Sequence, residues 1–246
     1  MQRTDVTVTT ADGECPSVMI TPDGEGPWPP VIVFTDAGGV RPAMIEMAEQ
    51  LSAMGYVAFL PEMYYRHGAY EPFDFLTAFS NPDERARLMS MVSSVTKAHA
   101  ASDTGAFLEY LSTLPQVSAS KVGTTGYCMG GGLSLTAAGS YPDRIVAAAS
   151  FHGGRIATDA PDSPHRIVGR ITGRVYVAGA ENDDSFTPEQ AALLEAALTE
   201  GGVDHKLEIY PALHGFAVPD NPTYDADAAA RHWHALEDLY GAMLST

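Results

Sequence analysis

Val122-Gly123-Thr124-Thr125-Gly126-Tyr127-Cys128-Met129-Gly130-Gly131-Gly132 is the stretch on which the reading of this chain turns. Val122–Gly126 reads as a short strand, and Gly130–Gly139 as the start of a helix. Between them Gly126-Tyr127-Cys128-Met129-Gly130 has the spacing of a G-x-S-x-G elbow, with cysteine in the serine position. A strand-to-helix turn that tight needs small residues two before and two after the central one. It lifts the central side chain above the sheet, at a helix N-terminus. There, unpaired N–H groups and the helix dipole favour a thiolate and a developing oxyanion. Two other readings remain open. Cys128 is a buried structural cysteine if the glycines only pack a helix on a strand. Thr125–Gly132 also fits T-G-x-x-x-G-x-G, a nucleotide-binding turn. Against the latter, the motif lies mid-chain, and no tyrosine has a lysine four residues later to serve as its proton donor.

Outward from the elbow, strand-like and helix-like segments alternate without linker or repeat. Thr4–Thr10 and Ser17–Thr21 read as two strands about an Ala11-Asp12-Gly13 turn. Pro30–Thr35 and Tyr56–Pro61 suit buried strands on either side of a Met44–Met54 helix closed by Gly55. Asp83–Leu114 reads as helix with a break near Ala101-Ser102-Asp103, where Ser102 or Asp103 would cap the second piece. Ile145–Phe151, Arg174–Ala178 and His205–Tyr210 have strand length. Pro188–Glu200 and Asp225–Leu244 read as helices. Such alternation implies an α/β fold, one domain over 1–246 with a mostly parallel sheet flanked by helices on both faces. For 246 residues, one domain with a single large core is the default.

Composition narrows the partners. Hydrophobic content of 45% with 18% charged residues describes a globular chain, and a net charge of −17 offers no basic face to phosphates or anionic membranes. The N-terminus lacks the apolar core of a signal peptide, and no apolar run approaches the ~18 residues of a membrane span. Cys15 and Cys128 alone do not make a disulfide framework, so a cytoplasmic setting is expected.

In open parallel sheets, ligands gather where strands end. Four such ends carry polar or reactive residues: Asp36, Cys128, the pair Asp183/Asp184, and His214. An acid at Asp183 or Asp184 can accept the Nδ1 proton of His214, fixing its tautomer. Asp183, with an apolar residue three positions on, is the first choice. A solvated turn that caps the Pro188 helix is the plainer account of the same acids. The order nucleophile, acid, histidine is that of the α/β-hydrolases. Backbone N–H groups of Ala37 and Met129 are candidates for an oxyanion hole, and the Asp36 carboxylate for a partner of the resting thiol. The remaining histidines look ordinary. No His or Cys spacing supports a metal, and hydrolysis of this kind requires no organic cofactor.

Asp36-Ala37-Gly38-Gly39, Tyr65-Arg66, Gly126-Tyr127-Cys128-Met129-Gly130-Gly131, Asp183 and His214-Gly215-Phe216 together resemble the dienelactone hydrolase family over nearly the whole chain. The resemblance implies a thiolate attacking a lactone or ester carbonyl, an acyl-enzyme, and water activated at His214. It also implies that Arg66 helps bind a substrate carboxylate, although Arg66 equally suits a pair with a nearby acid. The family usually has glutamate at position 36 and a second carboxylate-binding arginine where Val218 stands. A small, less charged ester or lactone is therefore the expected substrate, taken by a monomer or small homo-oligomer. Two accounts outside catalysis stay open: a binding protein that keeps the fold, and a thiol redox protein using Cys128. The second wants a resolving cysteine, and only Cys15 is available.

Overall fold

The computed structural model describes residues 1–75 and 77–244. Eight strands form one sheet in the order β1-β2-β4-β3-β5-β6-β7-β8. β1 (Gln2–Thr10) and β2 (Gly13–Thr21) form an antiparallel hairpin at one edge. β3 (Pro30–Phe34), β4 (Val57–Pro61), β5 (Val122–Tyr127), β6 (Ile145–Phe151), β7 (Arg174–Ala180) and β8 (His205–Tyr210) run parallel. The β2–β4 pair is antiparallel and joins the two parts.

Every residue of β3, β4 and β5 is buried, as expected of strands covered on both faces. Alternate side chains feed two cores. Ile32, Phe34 and Phe59 point to one face, where they meet α3 (Lys97–Ser112), α4 (Met129–Ser140) and α5 (Pro188–Glu200). Val31, Val33, Ala58 and Leu60 point to the other, against α1 (Pro42–Ala53) and α6 (Ala226–Met243). A third, smaller cluster lies above the strand ends. There Phe73 and Phe75, from the segment after β4, pack with Tyr64, Ala37 and with Leu88 and Met91 of α2 (Pro82–Ser94).

One helix boundary differs from the sequence expectation. The 83–114 region breaks at Val95-Thr96 rather than at Ala101-Ser102-Asp103. Thr96 caps α3, its Oγ1 accepting from the His99 N–H at 3.1 Å. Asp103 looks like a cap in sequence but sits mid-helix and fully buried, because Arg66 and Tyr65 reach it from the adjoining turn. Among the described residues no helix is long and apolar enough to cross a membrane.

Candidate active site

The elbow is set by backbone crowding. Cys128 lies between β5 and α4 in the left-handed region, with φ 54° and ψ −116°. A Cβ on Gly126 would stand 1.8 Å from the Gly130 carbonyl oxygen, and one on Gly130 would stand 2.2 Å from the Phe34 carbonyl oxygen. Both positions therefore demand glycine, and a non-glycine residue held at positive φ between them stores strain of order 1–3 kcal/mol. The half-buried Cys128 side chain stands at the N-terminus of α4.

β7 and β8 bring the acid and the histidine to the same end of the sheet. Asp183 Oδ2 lies 2.7 Å from His214 Nδ1. Its other oxygen accepts from the Ser185 N–H at 2.8 Å and from the Ser185 hydroxyl at 2.6 Å. Asp184 points to solvent and has no such partner. Burial alone would raise the Asp183 carboxyl, but His214 and Ser185 outweigh it and hold it below the usual carboxylate range. Burial would likewise lower His214. Asp183 and the adjoining Cys128 side chain overcome this and push the imidazole up to about 10. Thr223 fixes the loop from behind, its hydroxyl donating to the His214 carbonyl.

Ala37 and Met129 are joined through Tyr64, whose buried hydroxyl donates to the Ala37 carbonyl at 2.9 Å and touches Met129 Sδ at 3.5 Å. Neither the Ala37 nor the Met129 backbone N–H has a backbone partner among the described residues. A cleft of about 290 Å³ opens beside Met129 and Gly154, walled by Leu133, Val95, Lys97 and Arg155; it adjoins Cys128 through Met129 but is not lined by Cys128, His214 or Asp183. That volume suits a small ligand. A larger hollow of about 370 Å³ lies at the outer edge of the sheet, between β8 and α6, and includes no residue of the Cys128 group.

Two sequence expectations require correction. Asp36 is not turned to the thiol. Its carboxylate takes both terminal nitrogens of Arg41, at 2.5 and 2.9 Å, together with the Gly38 N–H at 2.9 Å. Arg41 also holds Asp220 at 2.7 Å and stacks on Phe75, so it links the end of β3 to the loop after His214. With both carboxylate oxygens bound to a buried cation, Asp36 serves as an anchor rather than a thiol partner. Arg66 is similarly engaged, with Asp12 at 2.6 and 2.9 Å and the buried Asp103 at 2.8 Å, a pairing that competes with any substrate carboxylate. Cys15 is fully buried in β2 as a free thiol.

Sequence reasoning also passed over His152, which directly follows β6, the strand between β5, which leads to Cys128, and β7, which leads to Asp183. Its available signal was position: Phe151-His152-Gly153-Gly154 places a histidine at a strand end within the same sheet edge. Arg41 and Tyr64 gave no comparable signal, since their partners are fixed only by folding.

The fold and the elbow define an α/β-hydrolase. The Dienelactone hydrolase family profile matches residues 15–244. A protein of Synechocystis sp. named "Putative carboxymethylenebutenolidase" is 30% identical over 98% of this chain and 96% of its own. Among solved structures, a dienelactone hydrolase-like promiscuous phosphotriesterase from metagenomic libraries is similar at 27% identity. It has a TM-score of 0.77, with all of both chains covered. The dienelactone hydrolase of Anabaena variabilis shares the fold, with a TM-score of 0.72 at 19% identity over 99% of each chain. This chain belongs to the dienelactone hydrolase family and is a hydrolase of the ester or lactone type.

Proposed function

We propose that this protein cleaves small esters or lactones through a Cys128–His214–Asp183 triad and a thioester acyl-enzyme. The observation that carries this reading is the convergence of a strained cysteine at a helix N-terminus with an imidazole whose Nδ1 is held by Asp183 at 2.7 Å. With Nδ1 so engaged, Nε2 is the nitrogen free to exchange a proton with the thiol. Cys128 Sγ attacks the carbonyl carbon with its proton already lodged on His214, whose proton affinity Asp183 and Cys128 raise. The carbonyl oxygen then becomes an oxyanion facing the Ala37 and Met129 N–H groups. Collapse breaks the carbon–oxygen bond, and His214 returns the proton to the leaving alkoxide. In a lactone this alcohol stays tethered to the acyl part. Water, deprotonated by His214, then attacks the thioester and frees Cys128.

The cleft beside Met129 is the substrate site in this reading, with the chain acting as one domain in a cytoplasmic setting. Arg66 has no part in it, because its donors are directed to Asp12 and Asp103. The buried and hydrogen-bonded Asp183 pairing favours catalysis over a non-catalytic binding role, since a partly buried carboxylate and imidazole are costly to keep without use. A redox role finds no support in Cys15, which is sequestered in β2. Stopped-flow hydrolysis of p-nitrophenyl acetate tests the reading. The expected result is a burst of one p-nitrophenolate per chain that Cys128→Ser loses; a mutant that keeps the burst sinks it.

A further inference from the structure

His152 is fully buried beneath the elbow, with φ 38° directly after β6. Its backbone N–H donates to the Ala178 carbonyl on β7 at 2.8 Å. The ring bridges the Cys128 peptide and the His214 ring. Nδ1 accepts the Cys128 backbone N–H at 3.2 Å, a donor shared with the Phe151 carbonyl at the same distance. The ring itself packs against His214, with centroids 5.2 Å apart and planes at 64°, and against Phe216 at 5.0 Å. The same turn closes on the elbow from the other side, where the Gly154 N–H donates to the Cys128 carbonyl at 3.3 Å. It reaches the acid loop through the Arg155 N–H, which donates to the Ser185 carbonyl at 2.7 Å.

These contacts fix a protonation state. An Nδ1 that accepts from Cys128 leaves the proton of the neutral ring on Nε2. That nitrogen is buried and has no hydrogen-bond partner. Burial, the neighbouring His214 and then His232 all keep His152 well below its ordinary proton affinity, while Asp183 acts weakly the other way. A second proton would set an N–H against the Cys128 N–H and a cation against His214. An unsatisfied buried donor is destabilising. A phenylalanine would fill the space without that cost, but it would leave the elbow peptide one acceptor short.

We infer that His152 is a positioning residue of the active site, its Nδ1 holding the Cys128 peptide in the left-handed turn while its ring backs His214. The inference rests on the reading of Cys128 as nucleophile for its kinetic consequence, but not for the hydrogen bond itself. His152→Asn supplies an acceptor oxygen near the Nδ1 position and tolerates positive φ. His152→Leu has the shape of asparagine without the acceptor, and His152→Gly adopts the same φ without strain should leucine prevent folding.

Pre-steady-state acylation by p-nitrophenyl acetate and the Cys128 amide proton shift, read by NMR, are the two measurements. In His152→Leu or His152→Gly, acylation is expected to slow on the order of tenfold to a hundredfold with little change in KM. The Cys128 amide proton is expected to move upfield. His152→Asn is expected to recover most of the rate and of the shift. Wild-type acylation in His152→Leu, or equal losses in the Asn and Leu variants, would overturn the inference, because packing alone would then account for His152. An unmoved amide proton in the acceptor-free variants overturns it even if no ester is turned over. If the wild type is inactive and that proton moves, the proposed hydrolysis fails while the His152 bond stands.

Discussion

Cys15 and Cys128 are the same side chain in two regions of one sheet, and their surroundings assign them opposite chemistry. Cys15 is enclosed in β2, where burial, and then Asp103 and Glu62, push its thiol up to about 12 against the help of Ser17. It sits far above neutrality, with no nucleophile's environment. Cys128 stands half-exposed at the strand-to-helix turn, with a helix N-terminus below, a buried imidazole on the elbow peptide and His214 alongside. Position in the sheet, not residue type, decides which thiol can react. The middle of an edge hairpin offers packing, whereas the C-terminal edge of the parallel strands offers unpaired N–H groups and loop-borne acids and bases.

The acid loop is where this contrast breaks most sharply. Asp183→Asn is expected to lower acylation by about two to four orders of magnitude, whereas Asp184→Asn leaves it near wild type. The pH dependence should change with it. Since the folded state raises His214 from its ordinary 6.5 to about 10, the stability contributed by its proton is complete below about 6.5 and fades as pH rises through about 10. Asp183→Asn should move that loss toward 6.5, which urea melts across the pH range would show. A melt that keeps its alkaline limb near 10 would mean that Asp183 is not the acid that holds His214.

At Arg41 the expected effect falls on stability rather than on rate, since the anchor and not the chemistry is removed. Arg41→Met leaves Asp36 buried without its cation and is expected to cost about 3–5 kcal/mol in urea unfolding. A loss below about 1 kcal/mol would show that the clasp between β3 and the His214 loop contributes little. Least of all, Cys15→Ala should cost about 1–2 kcal/mol for its small cavity and leave acylation unchanged. A slowed acylation there would erase the contrast between the two thiols.

Much of the candidate site was legible in sequence because its Cys128, Asp183 and His214 parts coincide with local signals. Gly126 is forced by the Gly130 carbonyl four residues on, and Gly130, though forced by the distant Phe34 carbonyl, falls at the elbow's local spacing. Asp183 and His214 lie in the short turns after two segments of strand length, Arg174–Ala180 and His205–Tyr210. The strands themselves were readable for the same reason, being short β-branched stretches between turn residues. What stayed hidden depends on distant partners. Asp103 gave a false cap because its meaning comes from Arg66, 37 residues away. Asp36 looked available to the thiol until Arg41 and Asp220 closed around it, the latter pairing spanning 179 residues. His152 carries no motif, and only folding brings it under Cys128, which follows β5, and beside His214, which lies in the loop after β8.

The most direct test is to quench the protein with acid during turnover of p-nitrophenyl acetate and locate the acetyl group by peptide mass spectrometry. The account predicts a single acetyl group, borne by Cys128 and absent from Cys15, whose yield rises and falls with the burst. Acetyl found on another side chain while Cys128 remains free would contradict it.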